Sequence, residues 1–161
     1  MGYRRYDNGD EYEGDFVNDV PNGKGKYTWV NGNVYEGDWV NGNPTGKGKL
    51  TYMGNGNYEG DFLYGRRHGY GKVTFKSGSV YEGNWVMEKW HGKGKYTLAN
   101  GYVYEGNWVD DKLTNGKLTL TNGSVYEGDL LDAAPHGKGK MTYPDGRVEE
   151  GNWKDGEFVG K

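Results

Sequence analysis

Three histidines, His68, His91 and His136, invite a metal reading, since imidazole is the commonest side-chain ligand for transition metals. Each follows the tyrosine of a repeated Tyr-Glu-Gly triplet by ten residues. Equivalent places in successive two-stranded repeats lie two strands apart, roughly 9–10 Å at about 4.8 Å per strand. Metal bonds of about 2 Å do not span that gap, so the expected role is structural and no metal is assigned. Paired carboxylates such as Glu36 and Asp38 would suit acid–base work, but they recur in nearly every repeat. A catalytic pair needs one asymmetric environment that drives two pKa values apart. Gly-x-Gly pairs such as Gly69-Tyr70-Gly71 lack the strand-to-helix junction of a phosphate-binding loop. No serine or threonine stands in a nucleophile motif with a histidine. The sequence therefore assigns no catalytic residue, no cofactor and no small-molecule substrate, and the expectation is a chain that is not an enzyme.

Charge gives two further partner classes to weigh. Lys24, Lys26, Lys47, Lys49, Lys93, Lys95, Lys138 and Lys140 form a recurring row. A basic residue near anionic lipid gains about 1 kcal/mol, so the row supports a membrane-surface reading. Acid-bearing segments flank it, however, and the net charge is −3, from 20 basic and 23 acidic side chains. That balance argues against a nucleic-acid partner, which needs a basic field. The absence of cysteine removes disulfides and thiolate metal sites and fits a reducing compartment. No apolar run approaches the roughly 20 residues needed to span a bilayer. The start Met1-Gly2-Tyr3-Arg4-Arg5 leads into no apolar signal core. The expected location is cytoplasmic, at cytoskeletal or membrane-associated structures.

The elements that carry these residues are set by the triplet. It falls at Tyr12, Tyr35, Tyr58, Tyr81, Tyr104 and Tyr126, with a degenerate copy at Glu149-Glu150-Gly151, so successive starts are 23, 23, 23, 23, 22 and 23 residues apart. A fixed period of this size marks a stacked array whose units complete their cores through their neighbours. The expected organisation is a single array over 1–161, with a partial unit at 1–11, full units starting at 12, 35, 58, 81, 104 and 126, and a partial unit at 149–161. In the unit from Tyr35, Val34-Tyr35-Glu36-Gly37-Asp38-Trp39-Val40 alternates large and polar residues, as a half-buried strand does. A loop is expected at Asn41-Gly42-Asn43-Pro44-Thr45, then a second strand at Gly46-Lys47-Gly48-Lys49-Leu50-Thr51-Tyr52. Asn-Gly or Asp-Gly pairs such as Asn31-Gly32, Asn100-Gly101 and Asp145-Gly146 close the other end, where a type I′ turn is expected. Pro21, Pro44 and Pro135 are placed in the first loop, outside the strand cores. The fold class is all-β, a run of about 14 strands in consecutive antiparallel hairpins.

Phase assigns the faces. Large apolar residues recur at the triplet tyrosine and four, fifteen and seventeen residues after it, as in Tyr35, Trp39, Leu50 and Tyr52. Side chains two apart share a face, so these line one side, and the triplet glycine leaves room among the rings. Glu36 and Asp38 on one strand and Lys47, Lys49 and Thr51 on the next line the other, giving cross-strand charge pairs worth about 0.2–1 kcal/mol each.

Tyr81-Glu82-Gly83-Asn84-Trp85, then His91-Gly92-Lys93-Gly94, then the tip Gly101, resembles the MORN repeat (membrane occupation and recognition nexus). The resemblance runs through nearly the whole chain. It implies a single-layered, twisted and elongated antiparallel sheet with an aromatic-lined groove, and a scaffold or adaptor role; phospholipid binding is a further proposal for that family. Two departures stand out. The fifth unit is one residue short between Val109 and Gly116, with Thr114 where a glycine is expected, so its loop should differ. The last unit has Glu149 for tyrosine and, with Arg147 and Glu150, reads as an end cap, as does Arg4 at the other end.

The expected function is a protein-interaction scaffold whose groove receives a partner segment or a second copy of the chain. Its expected contact residues are Tyr35, Trp39, Tyr52, Tyr58, Phe62, Phe75, Tyr81, Trp85, Tyr104 and Trp108. Tyr64, Trp90 and Tyr102 fall outside the repeating slots and are read as further loop contacts. The rival reading is a peripheral membrane module that binds anionic phospholipid head groups through the lysine-bearing strands.

Overall fold

A computed structural model describes residues 1–161, and every regular element in it is a β-strand. The strands are β1 (Gly2–Arg5), β2 (Glu11–Val17), β3 (Val20–Thr28), β4 (Val34–Val40) and β5 (Asn43–Tyr52). They continue as β6 (Gly56–Leu63), β7 (Arg66–Phe75), β8 (Val80–Val86), β9 (Lys89–Thr97) and β10 (Val103–Val109). The last are β11 (Lys112–Thr119), β12 (Val125–Leu131), β13 (Ala134–Thr142), β14 (Val148–Lys154) and β15 (Glu157–Gly160). All fifteen follow one another in sequence order in one open antiparallel sheet, with no crossover. The chain divides into two compact units, Met1–Lys76 with Trp85–Glu88, and Ser77–Asn84 with Lys89–Lys161.

The two kinds of turn exchange the roles expected of them. The segment read as a five-residue loop is a two-residue turn, Asn41-Gly42, with φ of 49° and 87°. Asn18-Asp19, Met87-Glu88 and Asp110-Asp111 repeat it, and positive φ at both central residues is the type I′ signature. At the Asn-Gly tips only the glycine has positive φ, as at Gly32 (97°). There the asparagine acts locally instead, Asn31 Oδ1 accepting the Asn33 N–H at 2.9 Å. The prolines are accordingly not in loops. Pro21, Pro44 and Pro135 lie in β3, β5 and β13, opposite Phe16, Trp39 and Leu130.

Next to each of these prolines is a β-bulge. In the β4–β5 pair Trp39 faces Pro44 while Gly37 faces Gly48, so β5 carries two extra residues there. Gly46 takes up the distortion at φ 112°, and Asp38 Oδ2 accepts the Lys47 N–H at 2.9 Å. Asp15 and Asp61 do the same for Lys24 and Tyr70. In the fifth repeat Asn107 faces Asn115 and Trp108 faces Leu113, leaving one extra residue, Thr114. The missing residue thus shrinks the bulge, while the turn keeps its ordinary two residues, Asp110-Asp111.

Glycines cross the sheet in register. Gly14 faces Gly25, which faces Gly37, then Gly48, Gly60 and Gly71 in the first unit. Gly94, Gly106 and Gly116 continue the pattern in the second unit. The triplet tyrosines lie across this row: a Cβ on Gly48 would collide with the Tyr35 ring, and one on Gly71 with the Tyr58 ring. Tyr35 and Tyr58 donate their hydroxyls to the Asp38 and Asp61 carbonyls, both at 2.8 Å. Both rings are buried. Burial, with the nearby Asp38 and Asp61 carboxylates, pushes the Tyr35 and Tyr58 phenol pKa values well up. Raised folded values favour the neutral phenol, so their stabilising contribution is complete below the unfolded tyrosine pKa of about 10 and is lost as pH climbs through the folded values. Alkaline titration is expected to show two phases of tyrosinate absorbance, the second coinciding with loss of far-ultraviolet circular dichroism. A completed titration with the dichroism intact would contradict this packing.

Small polar side chains tie three of the tips to the next repeat. Asp10, Asn33 and Ser79 accept the backbone N–H of Val30, Met53 and Ala99 at 2.8, 2.8 and 3.0 Å. Ser124 is the equivalent residue in the sixth repeat, and its buried hydroxyl has no partner. The position that supplies the donor elsewhere is Pro144 there, which has no N–H to give.

Candidate protein-binding surface

Buried tyrosines stand edge-on to neighbouring rings. Tyr35 meets Trp39 of its own repeat at 5.3 Å and Phe62 of the next at 4.9 Å; Tyr58 likewise meets Phe62 and Trp85. Such edge contacts are worth about 0.5–1.5 kcal/mol beyond area burial. The tryptophans reach back to the preceding repeat. Trp39, Trp85, Trp108 and Trp153 donate Nε1–H to the carbonyls of Gly25, Gly71, Gly94 and Gly139, each at 3.0 Å.

The ring set expected to contact a partner consequently divides. Tyr35, Trp39, Tyr58, Phe62, Tyr81, Trp85 and Trp108 are buried and act as core. Tyr52, Phe75 and Tyr104 are half-buried. Tyr52 faces Gly56, and Gly56 faces Phe75, so no side chain separates the two rings across β6. Trp29, Tyr96 and Tyr143 are half-buried as well. Tyr64 projects from the Tyr64-Gly65 turn and is 66% exposed. Tyr102 is half-buried beside β10. Trp90 is not a loop residue: it lies in β9 at the place proline takes in other repeats, stacked on Tyr81 at 4.2 Å and edge-on to Trp108 at 5.2 Å.

The histidines brace turns. His68 and His91 Nδ1 accept the backbone N–H of Met87 and Asp110, at 3.0 and 3.4 Å, and His136 does so for Asp155 at 3.2 Å. Asn22 and Thr45 do this for Asn41 and Tyr64, so any acceptor of suitable length serves. The lysine row is interleaved with acid. Lys26 faces both Glu13 and Glu36, Lys49 faces Glu36 and Glu59, and Lys117 faces Glu105 and Glu127. Lys24 and Lys47 also pair with Asp38 and Asp61 of the next repeat. The Lys24 ammonium, with the Lys47 N–H, holds the Asp38 carboxyl below the usual range, while partial burial pushes that of Asp61 up and Lys47 and the Tyr70 N–H together bring it below.

Three arginines use a ring and a carboxylate together, a pattern the repeat phase alone did not reveal; Arg147 does so locally, with Tyr143 and Asp145, and the other two reach across repeats. The Arg67 guanidinium lies 4.6 Å from the Trp85 ring centre and pairs with Glu88 at 3.2 Å. Arg4 lies 5.3 Å from the Phe16 ring centre and pairs with Asp19 at 3.1 Å. In both cases the acid follows the ring by three residues.

The fifth repeat departs from the rest. Thr114 Oγ1 donates to the Asn107 carbonyl at 3.3 Å, the bond a tyrosine hydroxyl makes elsewhere. The atoms nearest a Cβ on Gly116 are backbone atoms of Glu105 and Gly106, not a tyrosine ring. Tyr104 stands instead 6.2 Å from Tyr96 and 6.5 Å from Tyr102. Beside it opens a pocket of about 260 Å³ lined by Trp90, Tyr96, Tyr104, Trp108 and Leu113, with Asp111, Lys112, Asp132 and Ala133 around it.

Comparison with known proteins agrees with the all-β repeat fold. The SAS-4 (dCPAP) TCP domain of Drosophila melanogaster, solved in complex with a proline-rich motif of Ana2 (dSTIL), is similar in fold at a TM-score of 0.50 and 16% identity, covering 78% of this chain and 70% of that one. The TCP10c domain of Drosophila melanogaster Sas-4 aligns at a TM-score of 0.30 and 15% identity, over 81% of this chain and 93% of that one. No curated protein matches the sequence. The family pattern described as MORN repeat matches at 12–34, 35–56, 58–80, 81–101, 104–125, 126–146 and 150–161. With seven matched segments that take in most of its residues, the chain belongs to the MORN-repeat family.

Proposed function

We propose that this chain is a non-catalytic scaffold that receives an extended segment of a partner protein on its ring-bearing face. The observation that carries the reading is the set of half-exposed rings on that face, Trp29, Tyr52 and Phe75 in the first unit and Tyr96, Tyr104 and Tyr143 in the second. Amphipathic rings left partly open are typical of surfaces that bind protein. An extended segment is preferred to a helix because the SAS-4 TCP domain, alike in fold, was captured with a proline-rich motif. The opposite face supports the membrane reading less well, since its lysines stand in register between glutamates. Panning a displayed library of short unstructured peptides is expected to yield micromolar binders. Replacing Tyr52 and Phe75 together by serine should weaken them about tenfold or more, with circular dichroism unchanged. Undiminished binding would defeat the reading. Flotation with vesicles that depends on anionic lipid and fades with salt would favour the membrane module instead.

A further inference from the structure

We propose that the pocket of the fifth repeat binds the guanidinium group of an arginine in the partner segment, held against its aromatic wall and by the carboxylates at its mouth. The inference deepens the scaffold reading and rests on it. The pocket follows from the one-residue deletion: the smaller bulge gives Thr114 the hydrogen bond that a tyrosine takes elsewhere, and Tyr104 is displaced to the side. What lines the space is suited to a planar cation. Trp90, Tyr96, Tyr104 and Trp108 supply ring surface, and Asp111 and Asp132 supply negative charge, against one ammonium, that of Lys112. A cation is attracted to an aromatic face, and guanidinium both stacks on rings and forks onto carboxylate.

The chain itself contains the precedent. Arg67 lies over Trp85 and pairs with Glu88, three residues beyond that ring; Arg4 lies over Phe16 and pairs with Asp19, again three residues on. Trp108 and Asp111 hold the same two places in the fifth repeat. The place corresponding to Arg67 is occupied there by Trp90, whose backbone N–H binds Asp111 Oδ1 at 2.8 Å, as that of Arg67 binds Glu88. The ring-and-carboxylate pair is thus retained without an arginine of the chain's own, and a cavity opens next to it.

The test follows the indole N–H signals of Trp90 and Trp108 by NMR during titration with N-acetyl-arginine methylamide, and separately with the neutral isostere N-acetyl-citrulline methylamide. Arginine amide is expected to shift both signals saturably, and citrulline amide to bind about tenfold more weakly. Asp132 and Lys112 are exposed, so replacing them spares the fold. Asp132→Asn should weaken the arginine response by about threefold, and Lys112→Gln should strengthen it. Equal responses to the two amides, or indifference to both substitutions, would overturn the proposal. Peptide binders that enrich without arginine, while arginine amide leaves the indoles unmoved, would remove the site and leave the scaffold reading standing. Arginine amide that binds as described, with no peptide enriched by panning, would keep the site and remove the scaffold.

Discussion

Replacing Gly60 by alanine is expected to lower the stability of the chain by about 3 kcal/mol or more. The added Cβ would press on the Gly71 Cα and stand 2.5 Å from the Tyr70 carbonyl oxygen. Both belong to the backbone of the paired strand β7, so no rotamer change relieves the overlap, and φ at Gly60 is 155°. The strands would have to part in the middle of the ladder, beneath the Tyr58 ring. Gly54→Ala is the control: its φ of 72° is also unfavourable, yet nothing lies within 4 Å of the new methyl. Its loss should stay near the ~1 kcal/mol of backbone strain alone. Urea unfolding of the two variants checks the account, and midpoints lowered equally would show that the glycine row is not needed for close approach.

The second large effect is expected at Trp85, where substitution by alanine should cost about 3–5 kcal/mol. The indole is buried, meets Tyr58 edge-on at 5.2 Å, and carries the Arg67 guanidinium 4.6 Å from its ring centre. Its N–H also satisfies the Gly71 carbonyl. Trp85→Phe keeps most of the ring and loses that bond, so about 1–2 kcal/mol is expected from it. Chemical denaturation separates packing from hydrogen bonding: equal losses from alanine and phenylalanine would mean that the bond, not the ring, dominates.

Antiparallel order, the division of faces and the strand count to within one (about 14 expected, fifteen present) were legible because alternation and a near-constant period survive any error in the turns. Turn type was not. Asn31-Gly32 looks like a type I′ pair by composition, but Asn31 folds back on Asn33. The true type I′ pairs include Met87-Glu88, whose identities give no such hint. What holds that turn is remote: His68 accepts the Met87 N–H, and the Arg67 carbonyl accepts that of Glu88. Pro44 was misplaced for a related reason, since a bulge with two extra residues looks like loop when read residue by residue. At the candidate site, phase put the large rings on one face without saying which were covered, because cover comes from the neighbouring repeat. The short fifth interval was visible as a number. Its effect on Tyr104 depends on the placement of other tyrosines over glycine, which spacing does not encode.

The tryptophan bonds also have a direction in time. Each of the four acceptor carbonyls lies fourteen residues before its indole. Several turn and tip bonds share that order, His68 preceding Met87 and Asp10 preceding Val30, while the Arg67 and Trp90 N–H bonds to Glu88 and Asp111 run the other way. Chains are synthesised from the amino end. For the tryptophan bonds, and for turn bonds of this order, a newly made repeat brings its donors to acceptors that already exist, and the acceptors left waiting are oxygens and imidazole nitrogens that water serves readily. In this protein the ribosome delivers the layers in the order in which they can lock.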